Sequence, residues 1–281
     1  MNMNSVNHRS NPALWPIGTS YRLEAVKQAD EDLEALERAG IRYLELAWRN
    51  EQFDMFDPKN EQFVDSLIHR ARARDLDIWT LHLPYGLPWD ISNINTQERN
   101  EAVGRHLRLL RLAHRWSIGT VVLHPSWEPI QESERRERLS ACKLALAVFA
   151  EEAERLSIRI AVECLPRTCL GHTSDEMAQL MEASDLIGIC CDVNHLVQEP
   201  PEAFIQKMGD RIFTVHMSDN DGQDERHWMP GKGVIQWFAV LQELARAGYQ
   251  GPFVFEVRNF IAAELKDCWI RLLDEYNSTS E

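Results

Sequence analysis

Seven acidic or imidazole side chains recur at one kind of place in this chain, the far end of a short apolar run. They are Glu45 in YLELAW, His82 in WTLHLPY, His124 in VVLHPSW, Glu163 in IAVEC, Asp192 in ICCDVNH, His216 in TVHMSDN and Glu256 in VFEV. Taken singly, each has an ordinary explanation as a hydrogen-bonded core histidine or half of a buried salt bridge. Together they are harder to bury. An unpaired buried carboxylate is strongly penalised or gives up its charge. Four carboxylates and three imidazoles meeting at one place would repel and desolvate one another unless a cation sat among them. A divalent metal removes that conflict, because carboxylate oxygen and imidazole nitrogen suit zinc, manganese, cobalt or magnesium. Two neighbouring features extend the set. His195 follows Asp192 by three residues at the start of the next helix, and His227 lies in the long polar segment 218–233. That segment ends in the turn Pro230-Gly231-Lys232-Gly233, ahead of Val234 and Trp237, and joins of such length are usually functional or disordered.

The elements that position these residues follow from the hydrophobic pattern. Short runs at 16–20, 43–47, 78–83, 120–124, 158–163, 187–192, 213–217 and 253–257 are apolar on both parities, as strands buried on both faces should be. Segments of helical period lie between them, at 23–39, 98–116, 139–156, 234–247 and 261–276. Thr173 and Glu176 read as a capping box opening a further helix. Strand–helix alternation repeated in this way predicts an α/β fold with a parallel sheet and crossover helices. Eight units in 281 residues favour a closed (β/α)8 TIM barrel over an open doubly wound sheet. No Gly-rich phosphate loop follows the first run, which weighs against dinucleotide binding. The expected organisation is a polar N-terminal segment, 1–14, and one barrel domain, 15–281, with its chemistry at the C-terminal strand ends.

Composition narrows the partners. Thirty Lys and Arg against 44 Asp and Glu give a net charge of −14, and Arg135, Arg136 and Arg138 lie among Glu132, Glu134 and Glu137. Phosphate backbones would repel such a chain, so nucleic acid is not an expected partner. Six cysteines without a CxxC spacing fit reduced thiols in a cytoplasm. The first fourteen residues lack the apolar core of a signal peptide, and no apolar run approaches the roughly 18 residues of a membrane helix. A cytoplasmic protein with no membrane partner is expected. Barrels of this class often form homo-oligomers through loops or outer helices, but the sequence carries no interface signature.

On these residues the chain resembles the xylose-isomerase-like barrel superfamily, which includes sugar and sugar-phosphate isomerases and epimerases and the metal-dependent apurinic endonucleases. The resemblance runs roughly from Trp15 to Leu273. It rests on the strand-five Glu163, the strand-six Asp192 with His195 three later, the strand-seven His216, the strand-eight Glu256, and the Pro-Gly-X-Gly turn with its Trp. It implies one divalent metal (Mn, Co, Zn or Mg) held by Glu163, Asp192, His216 and Glu256. In the ketose 3-epimerase branch the glutamates at the Glu163 and Glu256 positions also exchange the substrate proton, with an enediolate formed between them. General chemistry agrees, since a metal that polarises a carbonyl acidifies the neighbouring C–H and two carboxylates can then serve as base and acid. The departures bear on the substrate. Cys164 stands where family epimerases often have Asn, Lys232 where the turn often carries an acid, and His227 in place of an Arg.

His82 and His124 open a competing reading. In the endonuclease branch, histidines at both positions join the shared ligands to hold a three-zinc cluster. Glu225-Arg226-His227 has the form of that branch's loop triplet, and Tyr85 fits its pattern. A zinc-dependent phosphoesterase is therefore the alternative, set against the acidic charge and the lack of basic loops. A barrel that binds metal or sugar without catalysis is a third class. On the preferred reading the chain isomerises or epimerises a small sugar or polyol derivative, bound by His82, His124, His195, His227, Glu45, Trp127 and Arg167. Trp48, Trp89, Trp127 and Trp228 follow strand ends, where indole faces stack on sugar C–H surfaces. Arg167 is suited to hold a phosphate or carboxylate bidentately. No phosphate cradle is visible after strands seven and eight, which favours an unphosphorylated substrate. Strand alternation turns Cys164 and Cys191 away from the ligands and gives Cys190 the inward parity of Asp192.

Overall fold

The eight apolar runs become eight parallel strands: β1 Ile17–Arg22, β2 Tyr43–Ala47, β3 Asp77–His82, β4 Thr120–Leu123, β5 Arg159–Glu163, β6 Ile187–Asp192, β7 Ile212–His216 and β8 Phe253–Phe255. The computed structural model describes residues 10–280, so 1–9 of the expected N-terminal segment lie outside the described residues. Strands lie side by side in chain order, and β1 pairs with β8. The sheet closes just past β7, where Met217 bridges Phe255 and donates its N–H to the Val254 carbonyl at 2.8 Å. This is the expected (β/α)8 TIM barrel. The crossover helices are α1 Ala29–Arg38, α2 Pro58–Arg72, α3 Thr96–Arg115, α4 Glu132–Leu156, α5 Ser174–Met181, α6 Pro201–Met208, α7 Trp237–Arg246 and α8 Ala262–Ser280.

Strand periodicity divides the interior. Leu44, Leu81, Val121, Ile160, Ile189 and Val215 join Leu33, Leu67, Leu109, Phe149, Leu180 and Leu241 in the main core between strands and helices. Val122, Ala161 and Cys190 form a smaller apolar layer with Phe213. Because side chains alternate along a strand, Glu163 shares the face of Ala161, and Asp192 that of Cys190. The apolar layer thus carries a polar one above it, at the C-terminal mouth. Cys164 and Cys191 belong to the main core, in line with their parity.

Helix boundaries depart from the periodic reading in three places. A 3-10 turn, Leu23–Ala25, precedes α1, which starts only at Ala29. Helix α4 starts at Glu132, because Arg135 and Arg138 are drawn inward by Glu176 and Asp90 although the turn has no apolar stripe. Helices α2 and α6 are missing from the periodic reading, although each buries an i, i+3, i+4, i+7 stripe (Val64, Leu67, Ile68 and Ala71; Pro201, Phe204, Ile205 and Met208) and opens on a proline, where a missing N–H costs nothing. Thr173 does cap α5, accepting the Glu176 N–H at 3.4 Å, but the Glu176 carboxylate turns to Arg135 and the Gly171 N–H, so the box is not reciprocal. No described helix is long and apolar enough to cross a membrane.

Candidate metal centre

Parallel strands of a barrel end on one side, so the strand-end residues meet at the C-terminal mouth. Three sets of side chains there present ligand atoms within 4.8 Å of one another: Glu163, Asp192, His216 and Glu256; His82, His124 and Glu163; and His195, Glu225 and His227. Glu163 belongs to two of them. Its Oε2 lies 3.0 Å from His82 Nε2 and 2.9 Å from His124 Nε2, and its Oε1 3.2 Å from His216 Nδ1. Glu225 stands 2.8 Å from His195 Nε2 and 3.6 Å from His227 Nε2.

The surroundings fix which ring nitrogen faces each set. His82 Nδ1 lies 2.9 Å from the Leu83 carbonyl, His195 Nδ1 3.0 Å from that of Cys164, and His227 Nδ1 3.1 Å from that of Glu256. His216 Nε2 lies 2.9 Å from Glu45 Oε2. A carbonyl or carboxylate oxygen only accepts, so each of these nitrogens carries the hydrogen. The other nitrogen of each neutral ring then aims a lone pair at carboxylate oxygens. Either the ring takes a second proton or ring and carboxylate share a cation, and metal-binding histidines are oriented by rear partners of this kind. Glu45 is corrected here: it was expected to meet substrate, but it is buried behind His216, away from the cavity, where Thr80 Oγ1 also donates to it at 2.8 Å.

The carboxylates fit a divalent ion. Asp192 Oδ2 and Glu256 Oε2 are buried with no donor. Burial pushes the Asp192 carboxyl up to about 7 despite the pull of His195, and the charges of Glu256 and Glu163 add to the rise. Burial acts in the same direction on Glu163, yet His124 and His216 hold it well below the usual carboxylate range. His195, which burial alone would lower, is raised well above the ordinary imidazole value by Asp192 and Glu225. Touching groups driven so far apart are reconciled by a cation, and three carboxylates with one imidazole suit one.

The long join after β7 is built to hold Glu225 and His227. Asp219, fully buried, accepts from the N–H groups of Gly231 at 2.8 Å and Ile235 at 3.2 Å and from Trp237 Nε1 at 2.9 Å. A Cβ on Gly233 would come 2.0 Å from the Asn220 carbonyl, which is why the turn closes on glycine. Asn194 Oδ1 accepts the N–H groups of Arg226 at 3.0 Å and His227 at 3.3 Å. His227 itself sits at φ 51°, a left-handed conformation uncommon for a side-chain-bearing residue. Sequence reasoning missed Asn194 and Asp219. Their only signal was position, two residues past one strand-end acid and three past one strand-end histidine.

A cavity of about 420 Å³ lies over the three sets, lined by His82, His124, His195, His227, Trp48 and Trp127 among others. Tyr85 stacks on His124 with ring centroids 4.4 Å apart, and Trp127 stacks on Tyr85 at 5.7 Å. Trp89 is instead buried against Phe56 and His106, and Trp228 is exposed outside the cavity. Arg167 borders the cavity, but its guanidinium is committed: 2.8 Å to Glu128, 2.7 Å to Asp224 and 3.2 Å to Glu225. It ties three loops together and steadies Glu225, in place of the expected grip on a substrate anion.

Residues 33–272 match the family model described as the xylose isomerase-like TIM barrel. The chain belongs to that family. Among solved structures, a D-tagatose 3-epimerase-like protein superposes on this xylose isomerase-like barrel with a TM-score of 0.81 at 25% identity, over 95% of this chain and 100% of that one. An uncharacterized protein of Methanocaldococcus jannaschii is 29% identical over 217 residues, which is 72% of this chain and 70% of its own length. The fructoselysine 3-epimerase of Escherichia coli O157:H7 is 21% identical over 167 residues, which is 45% of this chain and 61% of its own length.

Proposed function

We propose that this xylose isomerase-like barrel is a divalent-metal-dependent isomerase or epimerase of a small sugar or polyol derivative. The observation that carries the reading is the set Glu163, Asp192, His216 and Glu256 at the ends of four successive strands. Similarity to a D-tagatose 3-epimerase-like protein and to fructoselysine 3-epimerase supports it. A bound ion there would supply Lewis acidity toward a substrate carbonyl, making the neighbouring C–H more acidic. The chain's own groups move the proton. Glu256 borders the cavity with 14% of its side chain exposed, and Glu163 lines it more deeply at 1%. One takes the proton from carbon and the other returns it, with an enediolate of the substrate between the two steps. His82, His124, His195 and His227 meet hydroxyl groups, and Trp127 covers an apolar sugar face. The test is to incubate metal-supplemented protein with a panel of ketoses in deuterated water. Deuterium next to the carbonyl, lost in Glu163→Gln and Glu256→Gln, is expected; interconversion without solvent deuterium would count against the mechanism.

One observation favours a second reading, a zinc-dependent phosphoesterase: two further sets of three possible ligands, His82–His124–Glu163 and His195–Glu225–His227, accompany the four-residue set. If all three were filled, both oxygens of Glu163 would serve as ligands and neither would be free to move a proton. The net charge of −14 weighs against a nucleic-acid substrate on that reading too. The number of ions per chain separates the two.

A further inference from the structure

The cavity over the ligand sets opens beside a second one of about 790 Å³, and the two share Arg22, Arg49, Arg258, His227 and Glu256 as lining residues. The sheet brings these three arginines to one rim. Strand β1 pairs with β8 up to Thr19 opposite Phe255, and Arg22, the last residue of β1, and Arg258, three residues past β8, both lie beyond that pairing. On its other side β1 pairs with β2, with Arg22 opposite Ala47, two residues before Arg49. The Arg258 N–H donates to the His227 carbonyl at 3.0 Å, and Asn259, at φ 54°, turns the chain directly after it. Arg258 is thereby anchored against the third ligand set.

Two of these arginines differ from most in the chain. Arg70, Arg111, Arg115 and Arg138 on the outer helices each lie within 4.0 Å of a carboxylate. Arg49 and Arg258 have no ion-pair partner among the described residues, whereas Arg22 pairs with Glu24 at 3.8 Å. Arg49 and Arg258 are exposed, and guanidinium forks match phosphate and carboxylate oxygens. The 420 Å³ cavity already falls in the range of about 300–1,000 Å³ typical of a small-molecule site, so the junction lies where the far end of a bound carbohydrate would emerge.

We propose that the substrate carries an anionic group, phosphate or carboxylate, held by Arg22, Arg49 and Arg258 at the junction of the two cavities. The inference rests on the isomerase reading for the carbohydrate part of that substrate, and it reverses the expectation of a neutral sugar drawn from the joins after β7 and β8. The cradle lies after β8, β1 and β2, at the seam where β1 pairs with β8.

The test is isothermal titration of metal-supplemented protein with D-fructose, D-fructose 6-phosphate and D-fructuronate. Hydrogen bonds to charged groups imply that at least one anionic ketose binds about ten- to a hundredfold more tightly than fructose. In Arg49→Gln and Arg258→Gln that advantage should fall to within about threefold. Melting temperature and metal content of the variants report whether fold and centre are intact. The larger of the two gains identifies the group as phosphate or carboxylate. Equal affinity for all three ketoses, no binding of any, or an advantage that survives in both variants overturns the proposal. Anion-dependent binding with no deuterium exchange upholds the cradle and defeats the isomerase reading alone.

Discussion

Glu45 provides the sharpest test of how the centre is held. Its Oε2 accepts from His216 Nε2 at 2.9 Å and from Thr80 Oγ1 at 2.8 Å, and both His216 and Glu45 are almost wholly buried. Glu45→Gln keeps the shape and one acceptor oxygen but removes the charge. A hydrogen bond to a charged group is worth about 1.5–3 kcal/mol and a neutral one about 0.5–1.5, so the His216 contact should weaken by about 1–1.5 kcal/mol. His216 Nδ1 becomes a less basic ligand by that amount, which corresponds to about a tenfold loss of metal affinity. If the amide instead turns its NH2 toward His216 the ring must give up its Nε2 hydrogen, and the loss approaches the roughly 100-fold upper end for such supporting partners. Competition with a chelating dye measures the affinity, and thermal unfolding of the metal-free protein checks the fold. Affinity within about twofold of the parent in a folded variant would refute the argument that Glu45 sets the His216 tautomer.

Glu163→Gln and Glu256→Gln should each lower turnover by about 10²–10⁴, the range for removing a general acid or base, in the deuterium-exchange assay; near-normal turnover in either sinks the two-carboxylate mechanism. Asp192→Asn and His216→Ala should reduce bound metal measured after gel filtration, and unchanged content would remove those residues from the centre. His106 predicts a pH effect on stability. Burial holds its imidazole down to about 4, with the Trp89 carbonyl 3.0 Å from Nε2. As pH falls through about 6.5 the unfolded chain takes up this proton before the folded one, so stability is lost between about 6.5 and 4. The loss from this group is about 2 kcal/mol at pH 5. Urea unfolding at pH 7 and pH 5 should show that His106→Gln loses less than the parent by about this amount; equal losses would contradict it.

Much of this architecture is legible in the sequence because burial on both faces leaves strands as short apolar runs, and a barrel puts whatever ends them at one mouth. Glu163, Asp192, His216 and Glu256 are therefore visible as a group before any coordinates. What the sequence hides depends on pairing and direction. Glu45 ends a run like the others, but only the meeting of inward side chains across the barrel reveals that it lies behind His216. Arg167 looks free in sequence and is engaged by Glu128, Asp224 and Glu225, which are 39, 57 and 58 residues away. Arg22 and Arg258 stand almost the whole chain apart, and barrel closure puts both on the lining of the same two cavities. Helices α2 and α6, absent from the periodic reading, are equally legible, since Val64, Leu67, Ile68 and Ala71, and Phe204, Ile205 and Met208, stand at helical spacing behind an opening proline.

The most direct test of the account is the metal content of the purified protein, by elemental mass spectrometry against protein concentration. One divalent ion per chain is expected, lost in His216→Ala and Asp192→Asn. Protein that retains full activity on a ketose with no bound metal would contradict the centre itself. Two or three zinc ions per chain would contradict the one-metal isomerase and assign His82, His124, His195, Glu225 and His227 to metal rather than substrate.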